Sequence, residues 1–417
     1  MRLLVSLMAA LLVTGCSAAV EGNAITQTGS SDNDGVDVAV LDTGDYAVAA
    51  GPPFATAGEV SPTSGNIVEA HRMASFVVGP WQVNNAFRSR GDVLLTSSTL
   101  PLPTIDIVKS AGAIPNELAD VMGAHGFVTA FSTLRFSDAT PTGSLLNMVV
   151  RFADPAGAAA AAREMAEKNP LPPGASPRTP VDVGHPDALA TIYENPGTGE
   201  IVESFTPYKS YVFINRAWVK RVPGEMSHSP KALIQGVIGD QRKRIDTFKP
   251  TPIEKLGDLP MDPTGQMLAA TLWNLDNQAP ANMGAWPSEA WVHFETDPVK
   301  SAVLFRDGGV DYVSQRRATV YRARDDEAAR KVAAGLGEQA SAEPGVSPAR
   351  PVKGLPQARC YTRARGESST SAISWQRVRW QHKCVAFTDR FAFTVFSSDL
   401  TDAQQQISAQ YRILAGR

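Results

Sequence analysis

Val149-Val150-Arg151-Phe152-Ala153-Asp154, followed by an alanine-rich run to Glu167, has a counterpart at Val320-Tyr321-Arg322-Ala323-Arg324-Asp325, followed by Glu327-Ala328-Ala329-Arg330-Lys331-Val332-Ala333. Each stretch reads as a short β-like segment, an aspartate suited to capping a helix N-terminus, and a strong helix former. Both helices then run into proline-rich loops, residues 169–180 and 343–356. One unit written twice in a chain predicts two similar domains.

The correspondence extends in both directions. Ala190-Thr191-Ile192-Tyr193 lines up with Ala358-Arg359-Cys360-Tyr361. Tyr211-Val212-Phe213-Ile214, Asn215-Arg216 and Ala217-Trp218-Val219 line up with Cys384-Val385-Ala386-Phe387, Asp389-Arg390 and Phe391-Ala392-Phe393, each read as strand, tight turn and strand. Each copy is expected to end in a helix, 230–248 and 402–414, and to carry another upstream, 115–126 and 298–309, opened by proline and closed by glycine. Strands and helices mixed, with hairpins late in each unit, predict an α+β fold: two similar units, each an antiparallel or mixed sheet packed with helices. The proline-bearing segment 249–263 separates the copies, which sets a first domain at 36–250 and a second at 251–417. Residues 36–113 are expected to add a helix (65–78) and irregular structure to the first domain.

The N-terminus points to a location. Arg2, an apolar stretch over 3–13 and the small residues before Cys16 describe a secretory signal of 1–15, too short for a membrane span, which needs ~20 apolar residues. A cysteine at the cut resembles the lipobox of bacterial lipoproteins, in which its thiol takes a diacylglyceryl group. Each buried methylene contributes ~0.8 kcal/mol, and two or more chains anchor stably. Residues 16–35, rich in Ser, Gly, Asn and Asp, then form a lipidated flexible tether on the extracytoplasmic face of the cell membrane.

The body has the composition of a globular protein: 43% of its 417 residues are hydrophobic and 19% charged. A net charge of −3 argues against a general nucleic-acid binder. Besides Cys16 the cysteines are Cys360 and Cys384, and an even pair in an exported protein predicts a disulfide, worth ~3 kcal/mol in the chain-entropy account. In the alignment above Cys360 falls on Ile192 and Cys384 on Tyr211, so the pair looks like a staple added to one copy. Alternation over 375–386 puts Val378, Trp380 and Cys384 on one face and Arg377, Arg379 and Lys383 on the other.

Leu41-Asp42-Thr43-Gly44-Asp45-Tyr46, Glu69-Ala70-His71-Arg72-Met73-Ala74, Val77-Val78-Gly79-Pro80-Trp81, Gly126-Phe127 and Gly309-Val310-Asp311, taken with the lipobox, resemble an uncharacterised family of actinobacterial envelope lipoproteins of the mycobacterial and nocardial type. The family is a domain of unknown function, so the resemblance implies a place in the envelope and no catalytic residues. The paired units behind a lipid anchor also resemble extracytoplasmic sensor and binding domains at the level of the fold alone.

Catalytic signatures are absent: no GxSxG, HExxH, GxxxxGK[ST] or GxGxxG occurs, and the six histidines are scattered without a metal-binding spacing, so neither metal nor cofactor is expected. Gly197-Thr198-Gly199 reads as a hairpin turn. The densest polar group on a predicted helix is Glu69, His71 and Arg72, a candidate ligand-binding trio with His71 exposed; against it stands an ordinary solvated helix face with an i,i+3 ion pair. Arg359, Arg363, Arg365, Arg377, Arg379 and Lys383 form a candidate basic surface for envelope lipid or polymer, each charge worth ~1 kcal/mol near an anionic surface. Arginines covering apolar neighbours would give the same pattern. Asp42-Thr43-Gly44 is first of all turn chemistry, and Trp273, Trp286 and Trp291 are expected in the core.

These features favour a membrane-anchored, non-enzymatic binding or interaction module whose partner is an envelope lipid, polymer or protein, with the cleft between the units as its default site. The alternative is an envelope hydrolase that assembles His71 or His125, a carboxylate and a serine in space.

Overall fold

Asp154 and Asp325 each accept the backbone N–H three residues on, from Gly157 and Ala328, at 2.8 Å. A helix follows each, as the repeat predicts. A computed structural model of the chain describes residues 35–90, 98–137, 142–220, 229–273, 282–364 and 380–416. The signal segment, Cys16, the tether up to residue 34, Arg365, Arg377 and Arg379 lie outside the described residues.

The first unit runs α1 (Ala57–Val60), α2 (Ser64–Ala74), α3 (Pro80–Val83), β1 (Leu100–Leu102), α4 (Ile105–Ala111), α5 (Asn116–Ala124), β2 (Phe127–Phe136), β3 (Gly143–Phe152), α6 (Pro155–Lys168), β4 (Thr179–Pro180), β5 (Leu189–Asn195), β6 (Gly199–Tyr208), β7 (Tyr211–Val219) and α7 (Pro230–Ile245). The second runs β8 (Gly284–Pro287), α8 (Ser288–Trp291), α9 (Pro298–Gly308), β9 (Tyr312–Gln315), β10 (Thr319–Arg322), α10 (Asp326–Ser341), β11 (Val346–Pro348), β12 (Arg359–Arg363), β13 (His382–Thr388), β14 (Phe391–Ser397) and α11 (Leu400–Ala415). Each unit holds one antiparallel seven-stranded sheet among the described residues, ordered β1-β2-β3-β7-β6-β5-β4 and β8-β9-β10-β14-β13-β12-β11. The two orders are the same strand for strand, so the fold is α+β and duplicated.

In each unit one helix (α6, α10) covers one face of the sheet and the C-terminal helix (α7, α11) covers the other. Burial on both faces explains why every residue of β3 is buried and why polar side chains there need internal partners. The C-terminal helices solve this in the same way. Gln241 accepts the Val78 N–H at 2.9 Å and donates to the Phe76 carbonyl at 2.8 Å. Gln410 accepts the Leu272 N–H at 2.7 Å and donates to the Ala270 carbonyl at 2.9 Å. Each buried glutamine grips an irregular segment at two backbone groups two residues apart, which carries the repeat back beyond its first strand.

The register corrects the alignment. Tyr211–Val219 is one unbroken strand, so Asn215-Arg216 is not a turn. Asn215 sits mid-strand in the core because its amide donates to Asn147 Oδ1 at 2.9 Å, and Asn147 in turn donates to Gln241 and to the Val78 carbonyl. The turns are at Lys209-Ser210 and Asp389-Arg390, where Tyr208 pairs with Tyr211 and Thr388 with Phe391. Lys209 (φ 52°) and Asp389 (φ 45°) take the left-handed backbone that the first position of such two-residue loops requires. Counting from these turns, Cys384 corresponds to Ser204 and Cys360 to Ala190, not to Tyr211 and Ile192. Cys360 and Cys384 face each other across β12 and β13 and are bonded. The loops expected at 169–180 and 343–356 each contribute an edge strand ending in proline, Pro180 and Pro348, at the same register.

Residues 36–46, expected with the first domain, pack on the second unit. Val36, Val38, Leu41 and Tyr46 lie against its core, Asp37 N–H donates to the Gly354 carbonyl, and Tyr46 donates to Asp402 at 2.6 Å. Asp42-Thr43-Gly44 is a turn, with the Gly44 N–H on Asp42 Oδ1.

Candidate functional site

Helix α2 lies across β1 and β2 of the first sheet and against β8 and α8 of the second unit, and so joins the two halves. Trp286 and Trp291 are buried in one continuous core that both units share, together with Phe131, Phe294 and Trp81. Three successive charged or aromatic positions of α2 have separate roles at this joint.

Glu69 is fully buried. Its Oε1 accepts from Arg151 of β3 at 2.6 Å and from the Thr251 N–H at 2.9 Å, and its Oε2 accepts from Arg72 at 2.5 Å and the Thr251 hydroxyl at 2.8 Å. Arg151 also donates to the Thr251 carbonyl at 2.6 Å, and Arg72 to the Lys249 carbonyl at 3.2 Å while lying over the Phe248 ring. The i,i+3 pair is present, but the face is not solvated. Two guanidinium groups, one hydroxyl and one backbone N–H saturate the carboxylate, which pins the segment linking the units to α2. Glu69 is therefore a structural anchor.

His71 is buried too, a correction to its expected exposure. Its ring stacks on Trp286 with centroids 3.6 Å apart and planes 27° apart. Burial pushes its pKa down to about 3, so the ring is neutral. Gly284 makes the stack possible, since a Cβ there would sit 2.4 Å from His71 Cε1. His71 forms no hydrogen bond among the described residues, and Nε2 is buried without a partner. It lines a cavity of about 130 Å³ between the units, with Val68 and Arg72 from α2, Leu259 and Pro260 from the linking segment, and Ala285 and Tyr312 from the second sheet. A cavity thus lies between the copies, where the default site was expected. Two of the three candidate residues, His71 and Arg72, line it, and Glu69 supports it from behind.

The other candidates disperse. Of the basic group, Arg363 is paired with Glu343 and lies over the Trp380 ring, Arg359 is exposed, and Lys383 points its face of the sheet toward α10 and lines a second cavity. The expected open face at Lys383 is wrong because helices cover both faces of the second sheet. His125 bonds Glu164 at 2.6 Å, whose other oxygen takes Lys168; no hydroxyl joins the pair among the described residues. His293 meets the Thr133 hydroxyl at 3.1 Å but is sealed in the core, its pKa pushed down to about 3 by burial and by the charge of Arg135. Neither His71 nor His125, the two histidines expected to act, brings a carboxylate and a hydroxyl together in an open cleft among the described residues. Among the described residues, no three His, Cys, Asp or Glu side chains are placed to hold a metal ion, and no helix is long and apolar enough to cross a membrane.

Arg151, Thr251, Gly284 and Tyr312 were not legible as site residues. The one signal was Arg151 itself, a charge inside the apolar run Val149-Val150-Arg151-Phe152. A charge so placed calls for a buried partner.

Residues 56–261 match the N-terminal model, and residues 267–417 the C-terminal model, of a domain of unknown function, DUF7373. No curated protein matches the chain. Among solved structures it is similar to the crystal structure of the extracellular domain of PknH from Mycobacterium tuberculosis, at 14% identity and a TM-score of 0.29, over 43% of this chain and 97% of that one. A likeness of that size carries no argument about function.

Proposed function

We propose that this chain, which belongs to the DUF7373 family through both of its halves, is an extracytoplasmic lipoprotein of the cell envelope, anchored through Cys16, that binds a small, largely apolar ligand between its two units. The observation that carries the binding half is His71. Its Nε2 is buried with no hydrogen-bond partner among the described residues, and an unmet buried polar group costs about 1–3 kcal/mol. A ligand bearing one hydroxyl or carbonyl in the adjoining cavity would meet it, because the neutral ring offers one donor and one acceptor. The walls of Val68, Leu259, Pro260 and Ala285 suit an apolar body, and a void near 130 Å³ is close to the roughly 150 Å³ that accommodates benzene. The envelope location rests on the lipobox ending at Cys16, and the bonded Cys360–Cys384 pair suits an oxidising compartment.

Native mass spectrometry of the protein extracted from its own membrane tests both halves. The expected result is a diacylglyceryl-bearing Cys16 and a small bound molecule that is lost in Ala285→Leu, which fills the cavity. An unmodified Cys16 thiol overturns the anchor. Wild-type protein as empty as the filled variant overturns the binding role.

A further inference from the structure

The cavity between the units has one charged residue on its lining, Arg72, and that charge is already met. Glu69 faces Arg72 with one oxygen and Arg151 with the other, and Arg72 also donates to the Thr251 hydroxyl and the Lys249 carbonyl. The charges next to the lining are met as well. Asp262, beside the lining Pro263, is 6% exposed and accepts the Thr264 N–H at 2.9 Å, the Thr264 hydroxyl at 2.6 Å and the Leu268 N–H at 2.7 Å. Arg322, whose guanidinium lies 5.3 Å from the centre of the Tyr312 ring, forks onto Asp311. An ion of either sign entering the cavity would give up its water and find no free counter-charge, a cost that a neutral molecule escapes.

The walls offer little hydrogen bonding of their own. Pro260, Pro263 and Pro287 have no backbone N–H, and Val68, Leu259 and Ala285 have no polar side-chain atom. His71 is the one lining residue whose side chain holds a buried polar atom, Nε2, without a partner among the described residues. Its ring is neutral, so Nε2 is a donor in one tautomer and an acceptor in the other. A hydroxyl meets either tautomer, because it both donates and accepts. A carbonyl meets only one.

We propose that the ligand of this cavity is a neutral alcohol or phenol, with its hydroxyl on His71 and its hydrocarbon body against the prolines and aliphatic side chains. This rests on the binding role proposed above and adds what the site selects, which is one hydroxyl and no charge. A void near 130 Å³ limits the enclosed part of the ligand to about six to eight heavy atoms, the scale of one substituted ring. Acids and amines of the same size are rejected because Arg72 is committed to Glu69, and Glu69 to its four donors.

Calorimetric titration tests this on the full chain carrying Cys16→Ser, which takes no acyl chain, in detergent-free buffer. The probes are toluene, benzyl alcohol, benzaldehyde, benzoate and benzylamine, which share one ring and differ in one group. Benzyl alcohol is expected to bind tightest, about tenfold tighter than toluene, the value of one hydrogen bond to a buried group. His71→Phe keeps a ring on Trp286 and is expected to bring the alcohol and toluene to the same affinity. An alcohol preference that survives this change overturns the assignment of the hydroxyl to His71. The ranking in the parent chain decides the ligand class without the variant. Toluene bound as tightly as the alcohol, or benzaldehyde or either ion bound more tightly, overturns the neutral alcohol and leaves the binding role standing. No saturable binding of any of the five overturns both.

Discussion

Arg151 and Arg322 stand at the same register in the two sheets, opposite Tyr211 and Phe391, the first residues of their last strands. Arg151 is 8% exposed and bonded to a Glu69 that is fully buried; Arg322 is 22% exposed and forks onto an Asp311 that is 48% exposed, with both bonds at 2.8 Å. The duplicated position kept its guanidinium and changed its surroundings. In the first unit α2 and the linking segment close over it, and in the second it opens to water.

The two arginines should therefore differ sharply on truncation. Arg151→Ala leaves a buried carboxylate short of one cation, with an expected loss of about 3–5 kcal/mol. Arg322→Ala removes an ion pair in a high-dielectric setting, with an expected loss of about 1 kcal/mol or less. Urea midpoints of the two variants decide it. Equal losses would mean that Glu69 is not the buried anchor described above.

The duplication was legible because it rests on local signals: an aspartate before an alanine-rich helix, and proline-rich loops after it, survive as Asp154 and Asp325 with their caps. Strand partners were less legible, since pairing is a long-range property. Asn215-Arg216 has the composition of a turn, and only the amide chain from Gln241 through Asn147 makes Asn215 a core residue. The same holds for the site. Glu69, His71 and Arg72 were visible as a polar cluster on a helix, but whether they faced water depended on Trp286 and Thr251, about 200 residues away, coming to rest on them.

The disulfide replaces a contact that the first unit makes without sulfur. Since Cys360 and Cys384 correspond to Ala190 and Ser204, a Cys360→Ala/Cys384→Ser variant recreates a pair that already packs in the same fold. It should fold and lose about 3 kcal/mol, the loop-closure value for cysteines 24 residues apart. Reducing the wild-type protein should lower its urea midpoint to that of the variant. A midpoint indifferent to reduction would mean that the bond adds nothing to the second unit.

His71 and His293 give the stability a direction in pH. Burial holds both pKa values at about 3, against an ordinary 6.5. Unfolding exposes both rings, so below pH 6.5 the unfolded chain binds protons that the folded chain refuses. The contribution is present in full above pH 6.5 and is lost as the pH falls from there toward 3, at up to about 1.4 kcal/mol per pH unit for each histidine. His71→Phe keeps a ring on Trp286 and removes the titration, so the variant should lose stability between pH 7 and pH 5 with about half the wild-type slope. Urea unfolding at a series of pH values measures both slopes. An unchanged slope in the variant would mean that His71 takes up its proton in the folded state, and the neutral ring facing the cavity between the units would have to be abandoned.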